Sequence, residues 1–202
     1  MPISIAIVDY GMGNQASVVH TLRSLGYRVR LAASPEALED AQLLVLPGVG
    51  AFPTAMQALK DRGLVDYLRA QPLQGRPILG ICLGMQLLAE ASHEHGHTAG
   101  LGLIPGQFQV FPEGGWHIGW NTIICTGDDE LVARSNGQAF YFNHSFQYQG
   151  PSQFQLARAG EPRPCAAIIR SGRVVGMQFH PEKSQAPGRM LLQDLINGLT
   201  HA

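Results

Sequence analysis

Cysteine is scarce in this sequence, which limits the covalent and metal chemistry available to it. Three cysteines occur in 202 residues, at positions 82, 125 and 165, and no two of them form a Cys-x-x-Cys pair. An odd number at wide spacing argues against a disulfide framework and against a zinc site of the usual kind. We therefore expect a cytoplasmic protein with reduced thiols.

The sequence also lacks an excess of positive or negative charge, and it has no long apolar run. Charged residues make up 14% of the chain, the formal net charge is -1, and no block of Lys and Arg occurs. This balance argues against nucleic acid or an anionic membrane as the main partner. The opening "MPISIAIVDYGMGN" has no basic segment, and its apolar run is too short for a signal peptide or a membrane span.

Apolar residues are plentiful and follow two alternating patterns. They make up 45% of the chain, enough for a globular protein, and the length predicts a single domain over residues 1–202. In the first half, β-branched runs such as "ISIAIV", "LLVLPG" and "RPILGI" alternate with segments of helical spacing. Strand–helix–strand alternation predicts an α/β fold with an open, mostly parallel twisted sheet and helices on both faces.

The second half changes character after about residue 107. Short strand candidates, among them "AFYFNHSF" and "VVGMQF", follow one another with Gly, Pro and Asn turns between them. These predict antiparallel strands added to the parallel sheet. A final helix is predicted over residues 187–199.

The stretch "PILGICLGMQLLAE" places Cys82 where an apolar strand ends and a helical pattern begins, over residues 83–90. Gly80 and Gly84 flank the cysteine at the spacing of a nucleophile elbow, where the turn leaves no room for side chains. The N–H groups of the helix would face the sulfur, lower the pKa of the thiol and serve as oxyanion donors. We interpret Cys82 as a nucleophile, and Cys125 and Cys165 as structural thiols.

A nucleophilic cysteine needs a base, and eight histidines are available. His180, in "GMQFHPEKS", follows an apolar strand at the edge where α/β sites assemble, and Glu182 is close enough to orient its imidazole. The cluster "HEHGH" could hold a metal, but we favour a solvent-exposed loop there.

Together these motifs carry a resemblance to a known family. "GICLGMQ" with "FHPE" resembles class I (triad) glutamine amidotransferases over essentially the whole chain. Within that family, "IAIVDYGMGN", "LPGVGAF" and "HIGWN" are similar to the glutaminase subunits of imidazole glycerol phosphate synthase, which act in histidine biosynthesis.

The resemblance implies a role for each matched position. Cys82 would attack the glutamine carboxamide, with His180 moving protons and Glu182 orienting it. The backbone N–H groups of Val49 and Leu83 would form the oxyanion hole. Glutamine would be held by four further residues, the last two largely through their backbone: Gly50, Gln86, Ser145 and Phe146. No cofactor and no metal is implied.

The family also implies a partner, a separate (β/α)8-barrel cyclase that forms a heterodimer with the glutaminase and receives its ammonia. The cyclase would make imidazole glycerol phosphate and an aminoimidazole carboxamide ribonucleotide. Asn14, Trp120, Tyr141 and Lys183 match positions at that interface. Alternatively, Trp120 and Tyr141 are core aromatics and Lys183 is a solvated charge.

Some positions depart from the family pattern, and other functions remain open. Trp116, Asn143 and Phe146 stand where Pro, an apolar residue and Tyr are usual. Gly11 and Gly13 also fit a dinucleotide-binding fingerprint, but the second predicted strand ends in "RLAAS", without the acidic residue that motif requires. A glutaminase serving pyridoxal phosphate, anthranilate or aminodeoxychorismate synthesis is an alternative, and so is a glutaminase-dead regulatory module.

Overall fold

A nine-stranded mixed sheet is the centre of the fold; the computed structural model describes residues 2–13, 15–161 and 163–201. Its first four strands along the chain are β1 (Ser4–Val8), β2 (Arg28–Ala32), β3 (Leu43–Gly48) and β4 (Ile78–Cys82). They pair in parallel, with β1 between β2 and β3 and with β4 beside β3. Every residue of β1, β3 and β4 is buried, as their continuous apolar sequences predict.

Helices connect and cover these parallel strands. The described helices are α1 (Gln15–Ser24), α2 (Pro35–Leu38), α3 (Phe52–Asp61), α4 (Leu64–Ala70), α5 (Leu83–Leu88) and α6 (Gln185–His201). Short 3-10 turns lie between some of the elements. At the start of α2, the Ser34 hydroxyl accepts a hydrogen bond from the N–H of Ala37, as its sequence predicts for an N-cap.

The second half adds further strands, most of which pair antiparallel. These are β5 (Ala89–Ser92), β6 (Thr98–Ala99), β7 (Ile104–Val110), β8 (His117–Cys125), β9 (Ala139–His144), β10 (Phe146–Gln149), β11 (Gln155–Ala159), β12 (Cys165–Ser171) and β13 (Val174–Met177). Of these, β5 also pairs in parallel with β7. The large sheet has the order β2-β1-β3-β4-β13-β12-β11-β8-β9, with β13 parallel to β4 and antiparallel to β12. The predicted fold class, a parallel core with added antiparallel strands, is confirmed.

A smaller sheet with the order β10-β7-β5-β6 covers part of one face. Two sequence predictions were wrong at its edges. The helix predicted over residues 83–90 ends at Leu88, because residues 89–92 pair with β6 and β7 instead. The single strand predicted in "AFYFNHSF" is two strands, since the chain leaves the large sheet at Ser145 and enters the smaller one.

The parallel strands β1, β3 and β4 are buried on both faces of the large sheet, and β3 shows how their side chains are divided. Leu43 and Val45 pack in the cluster that includes α1 and α6, whereas Leu44 and Leu46 pack in the cluster that includes α3, α4 and α5. This division follows from the two-residue period of a strand. None of the described helices is long and apolar enough to cross a membrane.

Three neighbouring parallel strands end at the same edge of the sheet. Gly48, the last residue of β3, lies opposite Cys82, the last residue of β4, and Met177 of β13 lies opposite Ile81. His180 follows β13 by three residues. The carboxyl ends of β3, β4 and β13 therefore bring the glycine-rich segment, the cysteine and the histidine together.

Candidate active site

Cys82 occupies a sharp strand-to-helix turn, as predicted from its flanking glycines. Its φ of 54° and ψ of -110° are unusual for a residue with a side chain, and α5 begins at the next residue. A Cβ on Gly84 would lie 1.7 Å from the carbonyl oxygen of Leu46. A Cβ on Gly80 would lie 2.7 Å from the backbone of Gly84. The turn therefore requires glycine at both positions.

His180 and Glu182 form a buried pair beside this turn. The Nδ1 of His180 lies 2.8 Å from Oε1 of Glu182, and their side chains are only 5% and 3% exposed. Because Glu182 accepts a hydrogen bond at Nδ1, Nε2 is left for another partner. Oε2 of Glu182 is buried and has no hydrogen-bond partner among the described residues.

The electrostatics of this pair favour a protonated imidazole. Burial alone would lower the pKa of His180, but its interactions with Cys82 and with Glu182 outweigh burial and raise the pKa to about 9. An imidazolium next to the sulfur would stabilise negative charge on Cys82.

A cleft of about 250 Å³ contains the cysteine and the histidine. It is lined by Val49, Gly50, Cys82, Leu83, Gln86, Glu94, Trp116, Asn143, His144, Ser145, Phe146, His180 and Lys183. It thus collects every predicted catalytic, oxyanion and glutamine-binding residue except Glu182, which lies behind His180. A larger cleft of about 480 Å³ lies beside α3 and α4, but its described lining residues include neither cysteine nor histidine.

The residues of the two predicted oxyanion donors, Val49 and Leu83, both line the cleft that contains Cys82. Leu83 is the first residue of α5, so its N–H has no acceptor within the helix. Val49 follows β3 and is 41% exposed, and the next residue, Gly50, has a φ of +106° that favours glycine. Both backbone segments therefore border the cleft, and their assignment as oxyanion donors stays a prediction.

Gln178, which no sequence motif identified as a site residue, lies next to Gln86. The Nε2 of Gln86 lies 3.4 Å from Oε1 of Gln178, and the Nε2 of Gln178 lies 4.0 Å from the sulfur of Cys82. Both amides are buried. The signal in the sequence was a polar residue between Met177 and Phe179 at the end of an apolar strand.

Glu94 is a second site residue that no sequence motif identified, and it lies inside the cluster "HEHGH". His93, His95 and His97 are at least partly exposed, in agreement with the predicted loop. Glu94 instead lines the cleft with a side chain 14% exposed, and Oε2 accepts a hydrogen bond of 2.7 Å from the N–H of Phe52. The pattern of alternating histidines does not distinguish Glu94 as a residue of the cleft.

The predicted interface residues form one group next to the cleft, apart from Asn14, which lies outside the described residues. Trp120 is 53% exposed, so its interpretation as a core aromatic is wrong. It lies directly opposite Tyr141, with 6.2 Å between the ring centroids. The Nζ of Lys183 lies 5.8 Å from the centroid of the Tyr141 ring.

Comparison with known proteins agrees with this geometry. Residues 6–197 match the family described as Glutamine amidotransferase class-I. The chain belongs to this family. The resemblance predicted from the sequence is confirmed, and with it an enzyme of the glutamine amidotransferase class.

Curated relatives extend this comparison to the subfamily. The chain is 43% identical over 191 residues to imidazole glycerol phosphate synthase subunit HisH of Streptococcus gordonii, covering 93% of this chain and 92% of that protein. It is 47% identical over 188 residues to the subunit HisH of Lacticaseibacillus casei, covering 91% and 90%. The subunit HisH of Listeria monocytogenes is 38% identical over 193 residues, with 94% and 93% covered.

Solved structures support the fold. A crystal structure of a glutamine amidotransferase superimposes with a TM-score of 0.76 at 20% identity, covering 98% of this chain and all of that one (100%). The structure of PurLQS from Thermotoga maritima gives a TM-score of 0.77 at 19% identity, covering 98% and 99%.

Proposed function

We propose that this class I glutamine amidotransferase is the glutaminase subunit of an imidazole glycerol phosphate synthase, with Cys82, His180 and Glu182 as its catalytic triad. It hydrolyses glutamine to glutamate and ammonia and passes the ammonia to a cyclase subunit in histidine biosynthesis. One observation carries the proposal: the cysteine on the strained turn and the hydrogen-bonded His180–Glu182 pair meet at the same cleft.

The chemistry begins with attack of the Cys82 sulfur on the carboxamide carbon of glutamine. The C–N bond then breaks, and protonated His180 supplies the proton that lets the nitrogen leave as ammonia. This leaves a glutamyl thioester on the sulfur. His180, now neutral, takes a proton from water, whose oxygen attacks the thioester carbon. The C–S bond then breaks, which releases glutamate and returns the sulfur of Cys82 as a thiolate beside protonated His180.

Negative charge develops on the carboxamide oxygen in both steps. We assign its stabilisation to the N–H groups of Leu83 and Val49, because they border the cysteine from two different elements. The Leu83 donor is fixed by the start of α5. The Val49 donor lies in a glycine-rich segment whose peptides can rotate, so partner binding has a means of completing the oxyanion hole.

The charges of the cleft suit an amino acid substrate. Among its described lining residues, Glu94 is the one carboxylate and Lys183 the one ammonium. We assign Glu94 to the α-ammonium group of glutamine. Gln86 and the backbone of Ser145 and Phe146 supply hydrogen bonds to the rest of the substrate, and Gly50 leaves room for it.

We further propose that a (β/α)8-barrel cyclase docks on the exposed aromatic group beside the cleft. Trp116, Ile118 and Trp120 are 63%, 59% and 53% exposed, an unusual density of large apolar side chains for a free surface. Trp120, Tyr141 and Lys183 lie within this area, and by resemblance Asn14, which is outside the described residues, is a further interface position. Aromatic residues with a nearby cation are typical of interface centres.

The same proposal covers the setting in which the chain works. It acts as one domain over residues 1–202, in the cytoplasm, and needs neither cofactor nor metal. The free state of Cys82, Cys125 and Cys165 suits a reducing compartment.

The test is ammonia release from glutamine by the chain alone and with a histidine-pathway cyclase and its ribonucleotide substrate. We expect low release alone and strong stimulation in the mixture, since an unregulated glutaminase would waste glutamine. Equal, appreciable release in both would contradict this partner and favour another acceptor. No release in either would favour the glutaminase-dead module.

A further inference from the structure

A buried chain of hydrogen bonds connects β8 with the wall of the cleft. Nδ2 of Asn121 lies 3.2 Å from both the carbonyl oxygen of Gly160 and Nε2 of His117. Nδ1 of His117 lies 3.0 Å from Nε2 of His144, and Nδ1 of His144 lies 2.7 Å from the carbonyl oxygen of Phe146.

The two ends of this chain fix the position of every proton in it. The carbonyl oxygen of Phe146 can only accept, so Nδ1 of His144 carries a proton and its Nε2 is an acceptor. The carbonyl oxygen of Gly160 also can only accept, so Asn121 presents its NH2 group and donates to Nε2 of His117 as well. His117 therefore carries its proton on Nδ1 and donates it to His144. Each polar atom of both imidazoles has a partner.

The series of hydrogen bonds ends where the backbone passes from the large sheet to the smaller one. His144 is the last residue of β9, Ser145 lies between the sheets, and Phe146 is the first residue of β10. The bond from the His144 ring to the carbonyl oxygen of Phe146 spans this break. Ser145 and Phe146 both line the cleft that contains Cys82.

We propose that His117 and His144 are positioning residues, which hold the Ser145–Phe146 backbone in the conformation that receives glutamine. This inference rests on the proposed function, since it deepens the role of the glutamine-binding segment. His117 acts at a distance, through His144, because it does not line the cleft itself.

The surroundings keep both rings neutral, as the hydrogen-bond chain requires. His117 and His144 are 5% and 4% exposed. Burial lowers the pKa of His144 to about 3, helped by the neighbouring His117, His180 and Arg163, although the bond to Phe146 acts in the opposite direction. Burial and Arg163 also lower the pKa of His117. The hydrogen-bond chain from Asn121 to Phe146 is therefore retained across the physiological pH range.

A metal site is the competing explanation of the same residues. One ligand atom each from His117, His144 and Cys165 lies within 4.8 Å of the others. However, a metal at Nδ1 of His117 would need that nitrogen free of its proton and Nε2 protonated against the NH2 group of Asn121. Burial also raises the pKa of the Cys165 thiol to about 12, which opposes thiolate ligation. The hydrogen-bond chain explains the arrangement better.

Two substitutions of His144 separate positioning from mere bulk. His144→Asn keeps a donor close to the position of Nδ1, within reach of the carbonyl oxygen of Phe146, whereas His144→Gln places its amide near Nε2 and loses that bond. His117→Phe removes the link but keeps the stacking on Phe142, whose ring centroid is 4.5 Å away. Cys165→Ala and the exposed His20→Asn serve as controls.

The measurement is protection of Cys82 by glutamine against alkylation by iodoacetamide, followed on the Cys82 peptide by mass spectrometry. We expect His144→Gln and His117→Phe to weaken protection about tenfold, the effect of one lost hydrogen bond. His144→Asn should remain within about threefold of the unmodified chain, since a single retained donor restores most of that energy. The rate of alkylation without glutamine is measured in every variant, and protection is expressed relative to that rate.

Equal losses in His144→Asn and His144→Gln, with His117→Phe unaffected, would overturn the proposal in favour of direct contact between His144 and glutamine. Stoichiometric zinc in the purified chain, lost together with protection in His117→Phe, His144→Gln and Cys165→Ala, would overturn it in favour of a metal site. Absence of protection in the unmodified chain would contradict the proposed function instead.

A second measurement tests positioning without any substrate. Imidazole nitrogen chemical shifts report which ring nitrogen carries the proton, and we expect Nδ1 in both His117 and His144. In His117→Phe, the amide signals of Ser145 and Phe146 should shift, while those around His20 stay in place. A proton on Nε2 of His117, or unmoved signals of Ser145 and Phe146, would overturn the proposal.

Discussion

The backbone N–H of His180 donates a hydrogen bond of 2.9 Å to the carbonyl oxygen of Tyr141. Ser184 reinforces this connection, because its hydroxyl accepts from the N–H of Tyr141 at 3.0 Å and donates to the carbonyl oxygen of His180 at 2.6 Å. Tyr141 also lies opposite the exposed Trp120. A partner that contacts Trp120 and Tyr141 would therefore touch a residue that is hydrogen-bonded to the proposed catalytic base. Docking could thus change the position of His180 through this hydrogen bond.

Trp120→Ala should weaken binding of the cyclase by about ten- to a hundredfold, since large aromatic residues at interface centres carry much of the binding energy. Calorimetric titration of the cyclase measures this. The control is Leu73→Ala, because the side chain of Leu73 is 91% exposed. Leu73 comes before β4 in the chain, and it therefore lies at the edge of the sheet opposite the cleft. Equal affinities for the Trp120 and Leu73 variants would place the interface elsewhere.

Cys82→Ala should abolish glutamine hydrolysis and leave the ammonia-driven reaction of the assembled synthase intact, because only the first reaction needs the sulfur. Product formation with glutamine and with an ammonium salt is measured in parallel, and Cys125→Ala is the matched control with both reactions retained. Loss of the ammonia-driven reaction in the Cys82 variant would reveal a structural role for this residue.

The central part of the site could be predicted from the sequence because it depends on local rules. A strand, two glycines and a helix start specify the turn at Cys82, and His180 and Glu182 are only two residues apart. Parallel strands place their carboxyl ends at one edge, which brought these two segments together without knowledge of the full topology.

The remainder depended on contacts between distant segments. Glu94 reaches the cleft because its carboxylate binds the start of α3, 42 residues away, and nothing in "HEHGH" signals this contact. Ser145 separates two strands because two sheets compete for the flanking residues. The register that places His117 opposite His144 follows from the pairing of β8 with β9, and no local pattern defines it.

The pKa of His180 should depend on its neighbours. Its pKa, raised to about 9 by Cys82 and Glu182, should fall in Cys82→Ala and again in Glu182→Gln, because each variant removes a partner that favours the protonated imidazole. Titration of the imidazole nitrogens by NMR measures it, with the exposed His20 as an internal reference. An unchanged His180 pKa in both variants would mean that neither residue interacts with the imidazole in solution.

Gly84→Ala should destabilise the fold by about 3 kcal/mol or more, the cost of overpacking a buried backbone contact. The added methyl would lie 1.7 Å from the carbonyl oxygen of Leu46, so α5 must move away from β3. Urea unfolding measures the loss. Gly127→Ala, where no atom of the described residues lies within 4 Å of the added methyl, should remain within about 0.5 kcal/mol. A tolerated Gly84→Ala would show that the turn at Cys82 can relax.

Glu94→Gln should raise KM for glutamine about tenfold or more with a smaller change in kcat, because the variant loses the negative charge opposite the α-ammonium group. The amide oxygen of the new side chain can still accept the hydrogen bond from the N–H of Phe52, so the start of α3 should be retained. Steady-state kinetics of ammonia release in the presence of the cyclase measure both constants. Glu130→Gln, which removes an exposed carboxylate outside the cleft, is the matched control and should leave KM unchanged.

A substrate analogue without the α-amino group separates the two roles of Glu94. The analogue carries no ammonium group for the carboxylate to bind, so its hydrolysis should be slow in the unmodified chain and equally slow in Glu94→Gln. The loss of activity caused by Glu94→Gln should therefore appear with glutamine as substrate and not with the analogue. A matching loss for glutamine and for the analogue would mean that Glu94 acts only through the backbone of α3, and the partner of the α-ammonium group would then have to come from another part of the cleft.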